Sequence, residues 1–502
     1  MSRSGAGPSL TWRLTAAIAL TVAFYVLALA IAGALLAVAI LPWVLGGSNN
    51  LWVTLTGFVL GVTILFAIFP RRQKVREYGV RLTASSQPRL LAMVEEEARA
   101  TGARAPDDVY ATLEANASVM QARGRRVMHL GVPLLHLLSE CGIRGVIAHE
   151  FGHYAGGDTR LGPWIYRTYD GVARTIDQLS DEEGDESWTQ RAVRQPFVWY
   201  GNAFMRITAA IKRRQEFAAD GMAADRAGRD AYIDALRRVH AYAPAFDAYW
   251  EHEVAAVLQA GRRPPVVAGF GTYLRSDAIE KASREFLEHQ LDETTDRYDS
   301  HPSLSERIAA LEGRPAGEVD DSPPALSLLR DAEALERELL AALVAPEAAE
   351  LPVLAWDDVG RAVYLERARA LCAEHGDLLG EATVSDLGAQ VQALGRIAGR
   401  LQQREPELPT EAAAPFAATL LAEALLVTLE RGGWQVEAEL GEPVRACRGD
   451  ERLEPYGLVE ELRSEQQAAD WPARARVLGI SDLRLRPPAE SEHPTPTEPA
   501  AA

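Results

Sequence analysis

The sequence predicts an α+β protein that is mainly helical and is built from three parts. A run of 57 consecutive uncharged residues near the N-terminus predicts two transmembrane helices within residues 1–76. Short strand patterns followed by helical periodicity predict a middle domain with a small sheet at 77–317. Beyond a Pro-containing acidic linker, amphipathic segments predict a separate, mostly helical domain at 325–486. A Pro-, Glu- and Ala-rich tail follows at 487–502, and we expect it to be disordered.

The composition is that of a globular protein with a small membrane part. The chain has 502 residues, of which 48% are hydrophobic and 24% charged, and it can bury a sizeable core in two or three domains. Its formal net charge of -18 offers no basic face for phosphates, so we expect no nucleic-acid partner. Cys141, Cys372 and Cys447 are widely spaced, which predicts buried free thiols in a reducing compartment.

The uncharged run between Arg13 and Arg71 is too long for one membrane span and suits two spans of ~20 residues each. We expect the turn near residues 46–50, between Trp43 and Trp52 at the membrane interface. A cleaved signal peptide is the alternative. The first apolar stretch, residues 14–45, exceeds the roughly 7 to 15 residues of a signal-peptide core, which favours an anchor in a lipid bilayer.

Basic residues near the spans predict the orientation of the hairpin. They precede the first span and follow the second, and the turn between the spans has none: Arg3, Arg13, Arg71, Arg72, Lys74 and Arg76. Positive charge favours the cytoplasmic side, so both ends and the middle domain are expected there. In that compartment the sequon at residues 116–118 would not be glycosylated.

The segment His149-Glu150-Phe151-Gly152-His153 is an H-E-x-x-H pattern in a stretch that is predicted to be helical. Residues four apart lie on one face of a helix, so His149 and His153 can bind one Zn²⁺ while Glu150 stands beside the catalytic water. The alternative is a chance occurrence, which we expect in about one or two of a hundred chains of this composition.

The third ligand must come from elsewhere, because Thr159 occupies the position of the third histidine of the extended H-E-x-x-H-x-x-G-x-x-H pattern. A downstream helical stretch offers Glu216 as a ligand, and Asp220 one turn further can orient a ligand histidine. The alternative for Asp220 is an ordinary carboxylate on the helix surface. The expected metal site is therefore His149, His153 and Glu216, with an open fourth position.

Three segments resemble peptidase family M48, which includes the HtpX-like membrane proteases and the CAAX prenyl proteases. They are HEFGHYAGGD at 149–158, EFAAD at 216–220 and HPSLSERIAAL at 301–311. The resemblance covers about residues 70–315. It implies a gluzincin-type zincin fold, one Zn²⁺ held by His149, His153 and Glu216, Glu150 as the catalytic base, and a bacterial inner or plasma membrane location.

Short strands are predicted at 108–110, 117–120 and 126–129, before the zinc helix. The resemblance implies that Asn116, Ala117 and Ser118 belong to an edge strand that binds an extended substrate peptide. An interior strand without a ligand role is an equal alternative. We interpret His129 and His136 as structural histidines, because neither has metal-ligand spacing to a partner.

Two further features leave alternatives open. In the family the His301 element lies close to the site, so His301 could stabilise an oxyanion or cover the metal. Alternatively, Ser303 or Ser305 caps the following helix and His301 only packs. The aromatic segment 197–205 is too short to cross a bilayer; it is expected to be core, with an interfacial lid as the alternative. The acidic segment 181–186 is expected to be a solvated turn.

The leading functional hypothesis is a membrane-anchored zinc endopeptidase that cleaves protein or peptide substrates on the cytoplasmic side, in membrane-protein quality control as the resemblance implies. A processing protease similar to the CAAX prenyl proteases is a second hypothesis, weakened because those relatives have many more spans. A membrane-tethered adaptor with a silent metal site is a third. The C-terminal domain is expected to contact a regulatory partner.

Overall fold

A computed structural model describes residues 10–47, 50–68, 77–122, 124–155, 188–296, 299 and 301–485. The acidic segment 181–186, the basic segment 71–76 and the tail 487–502 lie outside these described residues. The described chain is mostly helical with two small sheets, in agreement with the predicted class.

The first 335 residues contain most of the elements that position the candidate site. Their helices are α1 (Leu10–Val44), α2 (Leu51–Ile68), α3 (Pro88–Ala100), α4 (Val132–Leu137), α5 (Glu140–Ala155), α6 (Trp188–Ala227), α7 (Arg229–Tyr249), α8 (Ala255–Gln259), α9 (Val266–Tyr273), α10 (Asp277–Asp292) and α11 (Leu304–Glu312). Their strands are β1 (Val80–Leu82), β2 (Asp108–Thr112), β3 (Ala117–Ala122) and β4 (Arg125–Gly131).

The remaining described residues form helices and a three-stranded antiparallel sheet. The helices are α12 (Ala332–Leu343), α13 (Glu366–His375), α14 (Leu387–Gln392), α15 (Leu394–Arg404), α16 (Thr410–Arg431), α17 (Pro455–Glu461) and α18 (Glu465–Val477). The strands are β5 (Gln435–Glu437), β6 (Arg445–Arg448) and β7 (Glu451–Leu453). Short 3₁₀ and π-helical segments connect several of them.

By its internal packing the chain divides into two compact units. The first comprises Met1–Pro244 and Ser283–Leu335, and the second comprises Ala245–Ala282 and Glu336–Ala502. The segment near 318–324, predicted to be a linker, belongs to the first unit. There the Glu140 N–H donates to the Pro323 carbonyl at 2.8 Å, and the Ala325 N–H donates to Leu138 at 2.9 Å. The linear domain ranges predicted above remain predictions.

Helices α1 and α2 have the length and composition of membrane spans over Ile18–Val44 and Leu51–Ile68. They approach closely where α2 has glycines: a Cβ on Gly57 would lie 3.0 Å from the Leu35 carbonyl oxygen, and one on Gly61 would lie 2.8 Å from Leu36. Small residues at such crossings let apolar helices pack together. Their remaining surface is apolar and exposed, which a lipid environment accommodates.

Helix α16 is also apolar enough to span a membrane, but it lies in the core of the second unit. Its side chains from Leu420 to Leu429 are almost all buried, and Trp471 packs in the same core. A helix that is apolar all round is equally suited to a protein interior. Its apolar surface is therefore explained by packing inside the second unit.

The cysteine prediction is partly confirmed. All three residues are free thiols, and Cys372 is buried. Cys141 and Cys447 are only partly buried, contrary to the expectation that all three thiols lie inside.

The sheet of the first unit has the strand order β1-β2-β4-β3. Strands β2 and β4 are parallel, and β3 pairs with β4 in antiparallel orientation. The three short strands predicted at 108–110, 117–120 and 126–129 fall within β2, β3 and β4. Because β4 separates β3 from the rest of the sheet, β3 lies at an edge and not in the interior.

Candidate metal centre

Helix α5 carries the H-E-x-x-H segment on a firmly packed frame. The Ser139 hydroxyl caps its first turn by accepting the Gly142 N–H at 2.9 Å. One face of the helix is buried through Ile143, Ile147 and Phe151, which follow one another at four-residue spacing. This packing holds the helix in one rotation about its axis, and that rotation directs both histidines to the same side.

Glycines on the same helix allow α6 and α7 to approach it. A Cβ on Gly152 would lie 2.9 Å from the Cα of Ala219, and one on Gly145 would lie 2.8 Å from the ring of Tyr232. Ala219 follows Glu216 by three residues on α6. The close backbone contact at Gly152 therefore brings the Glu216 carboxylate within reach of the two histidines.

A buried ion pair network joins the same helices further along. Glu97 of α3 is fully buried and accepts hydrogen bonds from Arg144 of α5 and Arg226 of α6. The Arg226 Nε atom lies 2.7 Å from Glu97 Oε2. A buried carboxylate between two guanidinium groups restrains the relative position of the three helices.

Three ligand-type side chains converge beside α5. The Nε2 atoms of His149 and His153 are 3.2 Å apart, and the two carboxylate oxygens of Glu216 lie 3.6 Å from His149 Nε2 and 3.7 Å from His153 Nε2. A tetrahedral Zn²⁺ with bonds of ~2.0–2.1 Å separates its ligand atoms by about 3.3 Å. The donor set and its spacing therefore fit a zinc ion.

Asp220 contacts the His149 ring at Nδ1, the nitrogen that does not face the metal position. His149 Nδ1 lies 3.0 Å from Asp220 Oδ1, and the Tyr232 hydroxyl lies 2.9 Å from the same carboxylate and 3.0 Å from Nδ1. A carboxylate can only accept, so Nδ1 carries the proton and Nε2 presents its lone pair to the metal position. Asp220 is fully buried, which excludes the alternative of a surface carboxylate.

Arg307 of α11 completes this arrangement. Its Nε and Nη2 atoms donate to the two oxygens of Asp220 at 2.9 and 2.6 Å. Burial acts to raise the pKa of Asp220, but the hydrogen bonds from Arg307 and His149 hold that pKa well below its ordinary value. The carboxylate is therefore ionised whenever His149 needs an acceptor.

The protonation states of the other two donors also suit a cation. Burial, followed by the charge of His149, lowers the pKa of His153 to about 4, so its imidazole is neutral at neutral pH. Burial acts to raise the pKa of Glu216, yet this pKa lies below its ordinary value because a hydrogen bond from His301 and the neighbouring imidazoles outweigh burial.

Glu150 lies next to the ligands on the same helix. Desolvation raises the pKa of Glu150 to about 7, while the charge of His149 and a hydrogen bond from the Val119 N–H act in the opposite direction. A carboxylate with a pKa near neutrality can both accept and return a proton. This is the property that a general base in hydrolysis requires.

His301 contacts the predicted ligand Glu216 rather than the histidines. Its Nδ1 atom lies 3.3 Å from Glu216 Oε1, and its side chain is 71% exposed. Ser303 caps α11 by accepting the Glu306 N–H at 3.3 Å, so the capping alternative holds for Ser303 and not for Ser305. The His301 contact with Glu216 and the Ser303 cap occur together. The role of His301 in binding an oxyanion or covering the metal remains a prediction.

The predicted substrate strand lies close to Glu150. Asn116 precedes β3 and its carbonyl accepts the Gly131 N–H at 2.8 Å, so the peptide groups of Ala117 face the open edge while those of Ser118 face β4. The Val119 N–H acts to lower the pKa of Glu150. The role of the strand in substrate binding remains a prediction.

The aromatic segment 197–205 is mainly core. Phe197 and Phe204 are fully buried, and Phe197 packs with Phe24 of α1 and Ile64 of α2. Trp199 is 67% exposed and Ala203 is exposed as well, so solvent or lipid reaches this side of the segment. The segment thus joins α6 to the N-terminal helices.

The two histidines that were interpreted as structural, His129 and His136, are not among the candidate metal ligands. His129 is buried and stacks on Tyr78 at 4.4 Å and on Tyr110 at 5.8 Å between ring centroids. His136 is partly buried within α4. Neither belongs to the group of converging ligands found among the described residues.

Three residues that hold the site together were not foreseen from the sequence. Arg307 lies inside the third motif, where its six-residue offset from His301 gives no indication of a contact with Asp220. Glu97 of α3 and Tyr232 of α7 lie outside the three motifs. Their partners are distant in sequence, and no local pattern could have identified them.

Comparisons with known proteins agree with the geometry. The model for peptidase family M48 matches residues 84–315, a range that contains all three motifs. Protease HtpX of Stenotrophomonas maltophilia (strain K279a) is 30% identical over 240 residues, which cover 44% of this chain and 71% of that protein. Protease HtpX of Tolumonas auensis is 26% identical over 215 residues, covering 38% and 73% respectively.

A protease HtpX homolog of Bacillus pumilus is 25% identical over 249 residues, which cover 45% of this chain and 70% of that protein. No solved structure matches this chain. The matched relatives and the family model agree on one assignment, and on this evidence the chain belongs to peptidase family M48.

Proposed function

We propose that the protein is a membrane-anchored zinc endopeptidase that hydrolyses peptide bonds in protein substrates. The observation that carries this proposal is the convergence of His149, His153 and Glu216 beside Glu150, in a chain whose N-terminal helices are long and apolar enough to span a membrane. Membership of peptidase family M48 supports the same activity. The fold of the catalytic part would be of the gluzincin type, with a glutamate as the third ligand.

The chemistry follows from the arrangement of side chains. His149, His153 and Glu216 would hold the zinc ion, which supplies Lewis-acid polarisation of a carbonyl group and lowers the pKa of water. Glu150 accepts the proton of the attacking water and returns it to the leaving amine. Asp220, Tyr232 and Arg307 keep the His149 ring in the correct tautomer throughout.

An extended peptide would lie along the open edge of β3, towards which the peptide groups of Ala117 and Val119 point. Its scissile bond would then lie near Glu150, which is supported by the effect of the Val119 N–H on the pKa of that carboxyl. Asn116 and Ser118 would then support the edge without pairing to the peptide themselves. His301 is the residue that we propose stabilises developing negative charge or covers the metal before substrate binds.

We propose that cleavage takes place on the cytoplasmic face of a bacterial inner or plasma membrane, with a role in membrane-protein quality control. The basic residues that flank the two predicted spans support this orientation. The presence of free thiols is consistent with a reducing compartment. The C-terminal part, predicted at 325–486, would serve a regulatory partner or select substrates.

The test is casein hydrolysis by the detergent-purified full-length protein, compared with a Glu150→Gln variant, with the zinc content of both measured. We expect the wild type to cleave, the variant to lose cleavage, and both to hold about one zinc per chain. If the wild type and the variant both contain zinc but neither cleaves casein, the result would favour a processing protease of narrow specificity or a silent adaptor. Absence of zinc from both would contradict the proposal.

A further inference from the structure

The open edge of β3 has only a few peptide groups that can accept a further strand. The backbone bond between Gly131 and Asn116 sets the alternation along the β3–β4 ladder. Residues 118 and 120 direct their peptide groups to β4, and residues 117, 119 and 121 direct theirs away from the sheet. An extended peptide that adds to this edge must therefore pair with Ala117, Val119 or Gln121.

At Val119 the outward-facing carbonyl is already engaged by a side chain of the metal helix. The Tyr154 hydroxyl donates to this carbonyl, and the Val119 N–H acts to lower the pKa of Glu150. At Ala117 the N–H donates to Asn116 Oδ1 at 2.8 Å. The bond from Tyr154 therefore occupies the outward-facing acceptor of Val119.

The Tyr154 ring is held in this position by a second contact. The guanidinium carbon of Arg126 lies 4.6 Å from the centre of the ring, and Arg126 also donates to Gln121 Oε1 at 3.0 Å. Arg126 is 92% buried, since its exposed fraction is 8%. The contact with Arg126 thus helps to fix the orientation of the Tyr154 ring beside the edge of β3.

The hydroxyl also occupies the space that a further strand requires. Neighbouring strands lie about 4.8 Å apart, and a hydroxyl bonded to an outward-facing carbonyl stands inside that distance. A carbonyl can accept two hydrogen bonds, but a further strand and the Tyr154 hydroxyl cannot both stand within bonding distance on the same side of β3. Substrate pairing at Val119 therefore requires Tyr154 to move.

We propose that Tyr154 is a gate on the substrate edge: its hydroxyl closes the Val119 acceptor, and an extended substrate backbone enters by displacing it. The inference rests on the proposed peptidase function and adds a residue that sets substrate affinity. Extended substrates that also pair with Ala117 and Gln121 compensate for this displacement and are favoured over short peptides. Tyr154 acts on binding and does not take part in the chemical step.

The test compares Tyr154→Phe with the wild-type full-length protein in detergent. The variant keeps the ring and its contact with Arg126 but frees the Val119 carbonyl. We expect KM for a casein-derived peptide to fall by about 2- to 10-fold, the range that one neutral hydrogen bond provides, with kcat unchanged. Tyr78→Phe is the matched control, because it removes a hydroxyl bonded to Glu114 at 3.2 Å and leaves the edge unaltered.

A binding measurement separates this inference from the proposed function. A fluorescein-labelled casein peptide is titrated against Glu150→Gln and against Glu150→Gln with Tyr154→Phe, with zinc content and melting temperature as checks on folding. Tighter binding to the double variant supports the gate, even where the wild type fails to cleave casein. Equal or weaker binding to the double variant, or no binding to either, would overturn it.

Discussion

At the scale of single residues, the site depends on contacts made by groups that never touch the metal position. Asp220 restrains His149, and Arg307 restrains Asp220 through two parallel hydrogen bonds. All three are largely buried, so removal of one leaves an uncompensated group in a poorly solvated place. The orientation of the ligand His149 therefore depends on two successive contacts, first with Asp220 and then between Asp220 and Arg307.

Arg307→Ala should weaken zinc binding about 10- to 100-fold, because the buried Asp220 carboxylate loses its cation and no longer fixes His149. It should also destabilise the fold by about 3 kcal/mol or more. Arg307→Lys keeps the charge without the bidentate geometry, so its zinc affinity should lie between those of the wild type and Arg307→Ala. The measurement is zinc retention during titration with a chelator. An alanine variant that keeps wild-type affinity would contradict this account of the site.

Cys372 provides a prediction about pH. Burial, followed by the charge of Glu423, raises the pKa of its thiol to about 12 from an ordinary value of 9.0. The unfolded chain loses this proton first, so the stability that the neutral thiol contributes is complete below pH 9 and is lost between pH 9 and 12.

Thermal unfolding at pH 8 and pH 10 tests this prediction for wild type and Cys372→Ala. We expect the wild type to lose more stability across this interval than the variant, since alanine does not titrate. An equal loss in both proteins would show that Cys372 does not contribute to the pH dependence.

At the scale of elements, one helix links the N-terminal pair to the metal site. Phe197 near the start of α6 packs against α1 and α2, and Glu216 lies 19 residues further along the same helix, about 28 Å away. The other end of the link is the contact between α6 and α5 at Gly152. Any shift of α6 against α5 moves the third ligand relative to the first two.

Gly152→Ala should therefore disturb both stability and zinc binding. The new Cβ would lie 2.9 Å from the Ala219 backbone, which cannot move like a flexible side chain. We expect a loss of about 1–3 kcal/mol of unfolding free energy together with reduced zinc affinity. Gly399→Ala is the matched control in a helix with open space, and should be neutral or slightly stabilising. Wild-type zinc binding by the Gly152 variant would refute the close-packing argument.

At the scale of the whole molecule, the apolar N-terminal helices are part of the packing of the first unit. Phe24, Ile64 and Phe197 form one buried cluster, with Tyr200 packed against it. A chain without residues 1–76 would expose this face of α6 to water. Exposed apolar patches of this kind lead to association.

We expect the truncated protein to aggregate in aqueous buffer and to be monodisperse only in detergent, as judged by size-exclusion chromatography with light scattering. Replacing Phe197 and Tyr200 by serine in the truncated chain should reduce the aggregation. A truncated wild-type sequence that is monomeric without detergent would show that the cluster is not needed to cover α6.

Local patterns predicted much of this protein correctly. The uncharged N-terminal run, the three short strands and the two histidines on one helix face follow from interactions between residues close in sequence, and the structure contains each of them. The need for a third ligand pointed to Glu216, and the family resemblance implied the same residue. The local pattern did not show that the aromatic segment and the stretch with Glu216 form one helix of 40 residues, α6.

The sequence by itself determined the class of the fold, the candidate ligand residues and the presence of apolar spans, because periodicity and spacing are local properties of the chain. Only the tertiary structure decided that β3 lies at an edge, that Asp220 is held by Arg307 and Tyr232, and that Tyr154 closes the Val119 carbonyl. These depend on strand order and on contacts between residues up to 87 positions apart, for which neighbouring residues carry no signal.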